Sequence, residues 1–199
     1  MARRSDHSRP ELERMIVLEG HRQMSETGFA RFSAREVAKR IGYSIGTIYN
    51  VFGTHDRLIL AINGRTLTLW AAFLRERLAA PSQDRIRALV EGYFDFASEN
   101  RNAWMAIYDH RLPPGEAMPE WYGLQRAELT SIVESEIALI LPEAARGRAG
   151  ALARSLVATV HGHCAFALSG TFALLGEEHP REAAWARVRD TLAAAGAGY

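Results

Sequence analysis

Apolar positions along the 199-residue chain recur every three or four residues and nowhere alternate over a strand's length. That periodicity predicts an all-α fold of about nine helices with no internal repeat. A first helix starts after Ser8, where Pro10 suits the first turn and Glu11 and Glu13 suit the positive end of the helix dipole. Leu12, Met15, Ile16, Leu18 and Met24 form its expected buried side and Gly28 its stop. Ser33, with Glu36 three residues later, has the pattern of a capping box opening a second helix whose inward stripe is Val37, Ala38 and Ile41. Gly42 ends that helix and Ser44 caps a third, so the turn is three or four residues long, as a helix-turn-helix requires. In the third helix Ile48 and Phe52 lie four apart and turn inward with Ile45 and Val51, leaving Gly46 and Asn50 outermost and Thr47 and Tyr49 on the flanks. Small and hydrogen-bonding groups therefore occupy the exposed face of a short helix, which is the arrangement needed to read base edges in a groove.

Thr54 caps a fourth helix reaching about Leu78, with a broad apolar surface from Leu58 through Ile62 and Trp70 to Leu74. Pro81 breaks it, and Ser82 caps a fifth helix with Ile86, Leu89, Val90, Tyr93, Phe94 and Phe96 on its buried side. A short sixth helix covers 100–108. Two adjacent prolines and a glycine make the following stretch the clearest loop in the chain. A seventh helix runs from Glu120 to Leu141 and stops at Pro142. The eighth, about 148–175, is apolar nearly all round, with a small stripe of Ala158, Gly162, Ala165 and Ser169 and a bulkier one of Leu156, His163, Phe166 and Leu174. Pro180 opens a ninth carrying Ala183, Trp185, Val188 and Leu192.

Composition narrows the class. Hydrophobic residues at 48% and charged residues at 24% are those of a globular chain. No apolar run approaches the roughly 18 residues that span a bilayer, and no apolar segment follows the N-terminal arginines, so a cytoplasmic protein is expected. Cys164 is the only cysteine, which leaves the fold to packing. The net charge of +1 conceals an asymmetry: residues 1–57 hold ten Lys or Arg against seven Asp or Glu, and the remainder fourteen against sixteen. The basic excess, including Arg3, Arg4 and Arg9 of a polar N-terminal arm, thus sits with the helix pair. That arm is either a solvated tail or a segment laid against phosphates or into a minor groove.

The run from Ile16 to Leu58 is similar to the DNA-binding domain of TetR-type bacterial transcriptional regulators. Gly28-Phe29, Ser33, Val37-Ala38, Gly42, Ser44, Gly46, Thr47, Tyr49, Phe52 and Leu58 occupy that family's fixed positions. Two features depart from it: His55 stands where the family carries a lysine, and Gly20 and Gln23 stand where its first helix carries Ala and a large apolar residue. The resemblance implies that Gly46, Thr47 and Asn50 read bases while Ser33, Arg35, Ser44, Tyr49 and His55 hold phosphates. It also implies a homodimer paired through the last two helices, for which the small stripe of the eighth is suited, reading a palindromic operator. The expected organisation is a DNA-binding domain over 1–57 and a ligand-binding and dimerisation domain over 58–199. Val160-His161-Gly162 resembles the Trp-His-Gly signature of one C-terminal subgroup.

The aromatic residues beyond the fourth helix exceed what closing a small core requires. Together with the resemblance, they point to an apolar pocket for a hydrophobic or aromatic small molecule, with Trp70, Phe73, Phe94, Trp104, Tyr108, Trp121, His163 and Phe166 as its expected lining. The function so implied is a sequence-specific regulator, a repressor released from its operator by that ligand. The alternative is a helical small-molecule-binding or adaptor protein that keeps the domain as scaffold, a reading that draws on His55. No metal or other cofactor is expected. His161 and His163 point about 200° apart on a helix, and His161 with Cys164 supplies only two ligands. No catalytic set is expected either: Asp109-His110 has no matching nucleophile.

Overall fold

The computed structural model describes residues 7–80 and 84–198, and every regular element among them is helical. In chain order these are α1 (Arg9–Thr27), α2 (Ala34–Arg40), α3 (Ile45–Phe52), α4 (His55–Ala79), α5 (Arg85–Glu99), α6 (Arg101–Asp109), α7 (Glu120–Ile140), α8 (Ala149–Ser169), α9 (Thr171–Leu174) and α10 (Pro180–Ala194). Arg3, Arg4 and the expected break and cap at Pro81 and Ser82 lie outside the described residues. The chain forms two compact units, Met1–Thr68 with Asn100–Gly123, and Leu69–Glu99 with Leu124–Tyr199. By packing, then, the first unit runs into α4 as far as Thr68 and takes in α6, beyond the boundary at 57 read from the sequence.

The first unit is built on Ile16, Met24, Val37, Ile48, Leu58, Ile59 and Ile62, all fully buried, and α6 adds Ala106 to the same cluster. Burying each large aliphatic side chain contributes about 1.5–3 kcal/mol. At the start of α1 the Ser8 amide and hydroxyl both donate to Glu11 Oε2 at 2.7 Å, and these bonds draw the Glu11 carboxyl below its ordinary range. Leu18, expected on the buried side, is 43% exposed. The inward stripe of α1 is Leu12, Ile16, Gly20, Gln23 and Met24, and a residue two positions from both 16 and 20 falls on the opposite face.

Gly20 and Gln23, the two departures of the first helix, each have a structural use. A Cβ at Gly20 would lie 2.5 Å from Ile62 Cδ1, so the glycine is what lets α1 lie against α4. Gln23 is buried, and its Oε1 accepts the Ser33 amide at 2.8 Å. The capping box expected at Ser33 therefore closes on one side only. The Glu36 amide donates to Ser33 Oγ at 3.3 Å, but the reciprocal donor, the Ser33 amide, is served by Gln23 of α1 instead of by Glu36.

In the second unit, α5, α7, α8 and α10 enclose Leu89, Ile137, Leu156, Cys164, Val188 and Leu192. Arg85 binds Glu136 with two bonds of 2.7 Å, and Asp95 receives both Arg77 and Arg181. The eighth helix stops at Ser169 instead of continuing to about 175, because Gly170 takes a left-handed conformation at φ 78°. The single turn of α9 follows. Leu174, expected on the bulkier stripe of the eighth helix, lies in α9 and is 87% exposed.

Replacing Gln23 with Leu keeps the volume but leaves the half-buried Ser33 amide without its acceptor, a loss of about 1 kcal/mol or somewhat more. The urea unfolding midpoint of Gln23→Leu is expected to fall accordingly, and equilibrium denaturation followed by helical circular dichroism measures it.

Candidate nucleic-acid interface

α2 ends in a two-bond glycine cap. Gly42 has φ 78°, its amide donates to Lys39 O at 3.1 Å, and the Tyr43 amide donates to Ala38 O at 2.9 Å. This closes the last turn of α2 and redirects the chain into Ser44, whose Oγ accepts the Thr47 amide at 3.2 Å and lies 3.0 Å from Thr47 Oγ1. α3 then runs for two turns and stops at Gly53, again at φ 78°. Ile48 and Phe52 are buried beneath it, with Ile45 and Val51 half-buried beside them.

The opposite face carries Gly46, Tyr49 and Asn50 exposed and Thr47 half-exposed. Tyr49 shows 39% of its surface, so its ring is not taken into the core. Of the remaining expected DNA contacts, Arg35, Ser44 and His55 are exposed, and Ser33 is half-buried as the cap of α2. Arg35 has no carboxylate partner among the described residues. Arg40 does: it is held by Glu19 and Glu26, both at 3.1 Å. Thr54 Oγ1 caps α4 by accepting the Arg57 amide at 3.1 Å, and this sets His55 at the exposed first position of that helix, its ring 6.0 Å from that of Phe32.

Contacts that periodicity does not reveal hold this assembly from both ends. Arg9 donates to Val51 O at 3.2 Å, and His7 Nδ1 lies 2.7 Å from the Tyr43 hydroxyl, so the start of α1 is attached to the turn and to the end of α3. On α6, residues 102, 106 and 110 share one face. Asn102 donates to Ser25 O at 2.8 Å, Ala106 O accepts from Asn63 at 3.0 Å, and buried His110 Nε2 lies 2.9 Å from Asp56 Oδ1. The four-residue spacing was the only signal in the sequence.

The expected pocket residues are distributed among several groups. Trp104 and Tyr108 pair edge to face within the first unit, where Trp121 lies exposed against Tyr122. In the second unit Trp70 stacks on Phe96 at 5.2 Å and Phe73 leans on the same ring. Phe94 instead faces the Arg181 guanidinium, and His163 and Phe166 both meet Phe172. Phe96 thus meets two of the expected residues and Phe172 two others. Two cavities within the second unit, a polar groove of about 480 Å³ beside Arg75, Arg85 and Glu136 and an apolar one of about 40 Å³ beside Leu89, Tyr93 and Ile137, touch none of the eight. His161 Nδ1 lies 3.0 Å from the Tyr93 hydroxyl, while His163 Nδ1 lies 2.8 Å from Thr159 O. Burial pushes the Cys164 thiol up to about 12, which keeps it protonated. No helix among the described residues is long and apolar enough to cross a membrane.

Comparison with known proteins places these observations. The family described as "Bacterial regulatory proteins, tetR family" matches residues 16–62, and that described as "Tetracyclin repressor-like, C-terminal domain" matches residues 86–192. The chain is 30% identical over 145 residues to the HTH-type transcriptional regulator BetI of Paraburkholderia phymatum, covering 70% of this chain and 72% of the relative. Among solved structures, a protein of unknown function from Rhodococcus sp. RHA1 superimposes with TM-score 0.73 at 19% identity over the whole of both chains. The multidrug binding protein EbrR, complexed with imidazole, superimposes with TM-score 0.61 at 21% identity over 94% of each. A helix-turn-helix whose second helix has an open polar face, matched together with the helical domain that follows it, makes this chain a member of the TetR family of DNA-binding transcriptional regulators.

Proposed function

We propose that the protein is a homodimeric repressor that leaves a palindromic operator when a small hydrophobic or aromatic molecule binds. The observation that carries the reading is the division of α3 into a buried side, Ile48 and Phe52, and an open side of Gly46, Thr47, Tyr49 and Asn50. On this reading Gly46, Thr47 and Asn50 approach base edges, and Ser33, Arg35, Ser44, Tyr49 and His55 hold the backbone. One short helix reads only a few base pairs, so two symmetric copies about 34 Å apart supply the rest of the site.

The dimer reading is supported by α8. Ala158 and Ser169 are exposed, Gly162 and Ala165 are half-exposed, and a Cβ at Gly162 would meet nothing within 4 Å. A row of small residues with open space above it admits a second helix closely. The ligand reading draws on the aromatic clusters and on the likeness to EbrR, a multidrug binding protein complexed with imidazole. Residues 1–57 would read DNA, and 58–199 would bind ligand and pair the subunits. The ligand acts by population shift, and only if it binds the released state more tightly than the DNA-bound one. A cytoplasmic location goes with this function.

Thr47→Ala is expected to weaken operator binding by about fivefold or more, since a base contact is worth about 1–3 kcal/mol, and Tyr49→Phe by about fivefold through the loss of one hydrogen bond to phosphate, about 1 kcal/mol, while thermal midpoints hold. Fluorescence anisotropy with a selected operator fragment measures this, and unchanged affinity in both variants rejects the assigned face. His55→Lys adds a charge at an exposed position and is expected to strengthen binding and steepen the slope of log affinity against log salt by about 0.9. A slope unchanged from wild type places residue 55 away from phosphate. Gly162→Arg is expected to convert a two-chain mass to a one-chain mass in light scattering with helical content preserved, and an intact dimer contradicts pairing through α8.

A further inference from the structure

The polar segment at residues 1–6, outside the described residues, carries Arg3 and Arg4 against a single acid, Asp6, and only Met1 and Ala2 of it are apolar. A stretch of that composition has almost nothing to bury in a core. Whether it is a solvated tail or a contact to DNA turns on where the fold releases it, and the start of the described chain fixes that point.

Ser8 closes α1 on its N-terminal side. Its backbone is extended at φ −64° and ψ 159°, and its amide and hydroxyl both donate to Glu11 Oε2 at 2.7 Å, so the helix does not run back beyond it. The residues on either side of this cap are attached to opposite ends of α3. Arg9 donates to the Val51 carbonyl, in the last turn of α3, at 3.2 Å. His7 Nδ1 lies 2.7 Å from the hydroxyl of Tyr43, two residues before α3 begins, and the two rings meet edge to face at 6.1 Å. Traced backwards from Arg9 to His7, the contacts pass from the C-terminal end of α3 to its N-terminal end. The chain therefore leaves the described residues beside the turn that leads into Ser44, Gly46 and Thr47.

We infer that residues 1–6 are a second DNA-contacting element, in which Arg3 and Arg4 bind backbone phosphates at the edge of the half-site read by α3. The inference rests on the open face of α3 being the reading face. Six residues reach at most about 20 Å when extended, and phosphates along one strand stand about 3.4 Å apart, so a chain released beside the N-terminal end of α3 has several phosphates in range once that helix is in the groove. Guanidinium groups bind phosphate oxygens in pairs of parallel N–H bonds. Arg9 and His7 are the anchor, held by Val51 and Tyr43, and the two arginines beyond them are the contact. The element brings charge to a face whose own residues, Gly46, Thr47, Tyr49 and Asn50, have none.

The test compares the full chain with its Arg3→Gln/Arg4→Gln double variant on a selected operator fragment, by fluorescence anisotropy over a series of salt concentrations. Two lost phosphate contacts are expected to make the slope of log affinity against log salt shallower by about 1.8 for each bound protomer, with weaker binding at low salt and an unchanged thermal midpoint in the absence of DNA. As a readout of placement, Ser5→Cys carrying an iron–EDTA label is expected to cleave the operator backbone at the edge of each half-site; Cys164 is buried and does not take the label. An unchanged slope, or cleavage no stronger than that by free label, overturns the contact and leaves a solvated tail. A lowered thermal midpoint in the double variant overturns it as well, since the arginines then lie on the protein's own surface. So does a loss of affinity that depends on whether the pairs beside the half-site are A·T or G·C, which is minor-groove reading and not phosphate contact. Thr47→Ala separates the two readings: weakened binding there with an unaffected double variant overturns this element and leaves the face of α3 standing, whereas no effect in either rejects both.

Discussion

The first unit depends on how closely α1 can lie against α4. At Gly20 the approach leaves no room for a side chain: a Cβ would stand 2.5 Å from Ile62 Cδ1, and Ile62 is itself fully buried. A glycine inside a helix is unfavourable by about 1 kcal/mol relative to alanine, while forcing an extra methyl into a closed core costs about 1–3 kcal/mol. The two figures are of the same order, and a methyl at residue 20 would have to displace the end of the Ile62 side chain. With α1 seated at that depth, Gln23 reaches the Ser33 amide, and the first turn of α2 is fixed to α1 rather than to its own Glu36. That contact ties the start of α2 to α1.

A second set of bonds joins α4 and α1 to a segment distant in sequence. α4 begins immediately after α3, and its first turn carries both exposed His55 and Asp56, which lies against His110 at the end of α6. Asn63 and Ala106 bond one turn further along α6, and Asn102 and Ser25 a turn beyond that. Three bonds on one helical face fail together or hold together, because displacing α6 along its axis stretches all of them. This is why α6 groups with the helix-turn-helix and not with the helices on either side of it in sequence.

The elements that could be read from the sequence are those whose cause is local. The 3.6-residue period, the caps at Ser44 and Thr54, and the glycine stops at Gly28 and Gly42 depend on neighbours a few residues away, and each stands where the pattern placed it. Long-range causes were not legible. Whether Leu18 is buried depends on which face of α1 meets α4, and Gln23 resembles a weak apolar position until Ser33 is brought beside it. The end of α8 was missed for a different reason: Gly170 sits in an apolar run, and periodicity cannot tell a tolerated helix glycine from a left-handed stop. Aromatic content likewise counts rings without saying which of them meet, so Phe96 and Phe172, each of which meets two of the expected residues, were not singled out as such.

The composition of the proposed reading face has an electrostatic consequence. Gly46, Thr47, Tyr49 and Asn50 carry no charge, so attraction to phosphates must come from residues around α3 and not on it. The basic excess of the first 57 residues is only partly available for this, since Arg40 is held by Glu19 and Glu26 and Arg9 is committed to the Val51 carbonyl. Arg35, exposed in the first turn of α2, remains open beside the amide groups of that helix's N-terminus, which themselves attract anions. On the proposed reading, the charge offered to phosphates therefore lies on residues flanking α3, with His55 in the place of the family's lysine. Affinity on the proposed reading must then rest more on correct groove contact and on two protomers binding at once, and an interface of that kind is sensitive to the spacing between its halves.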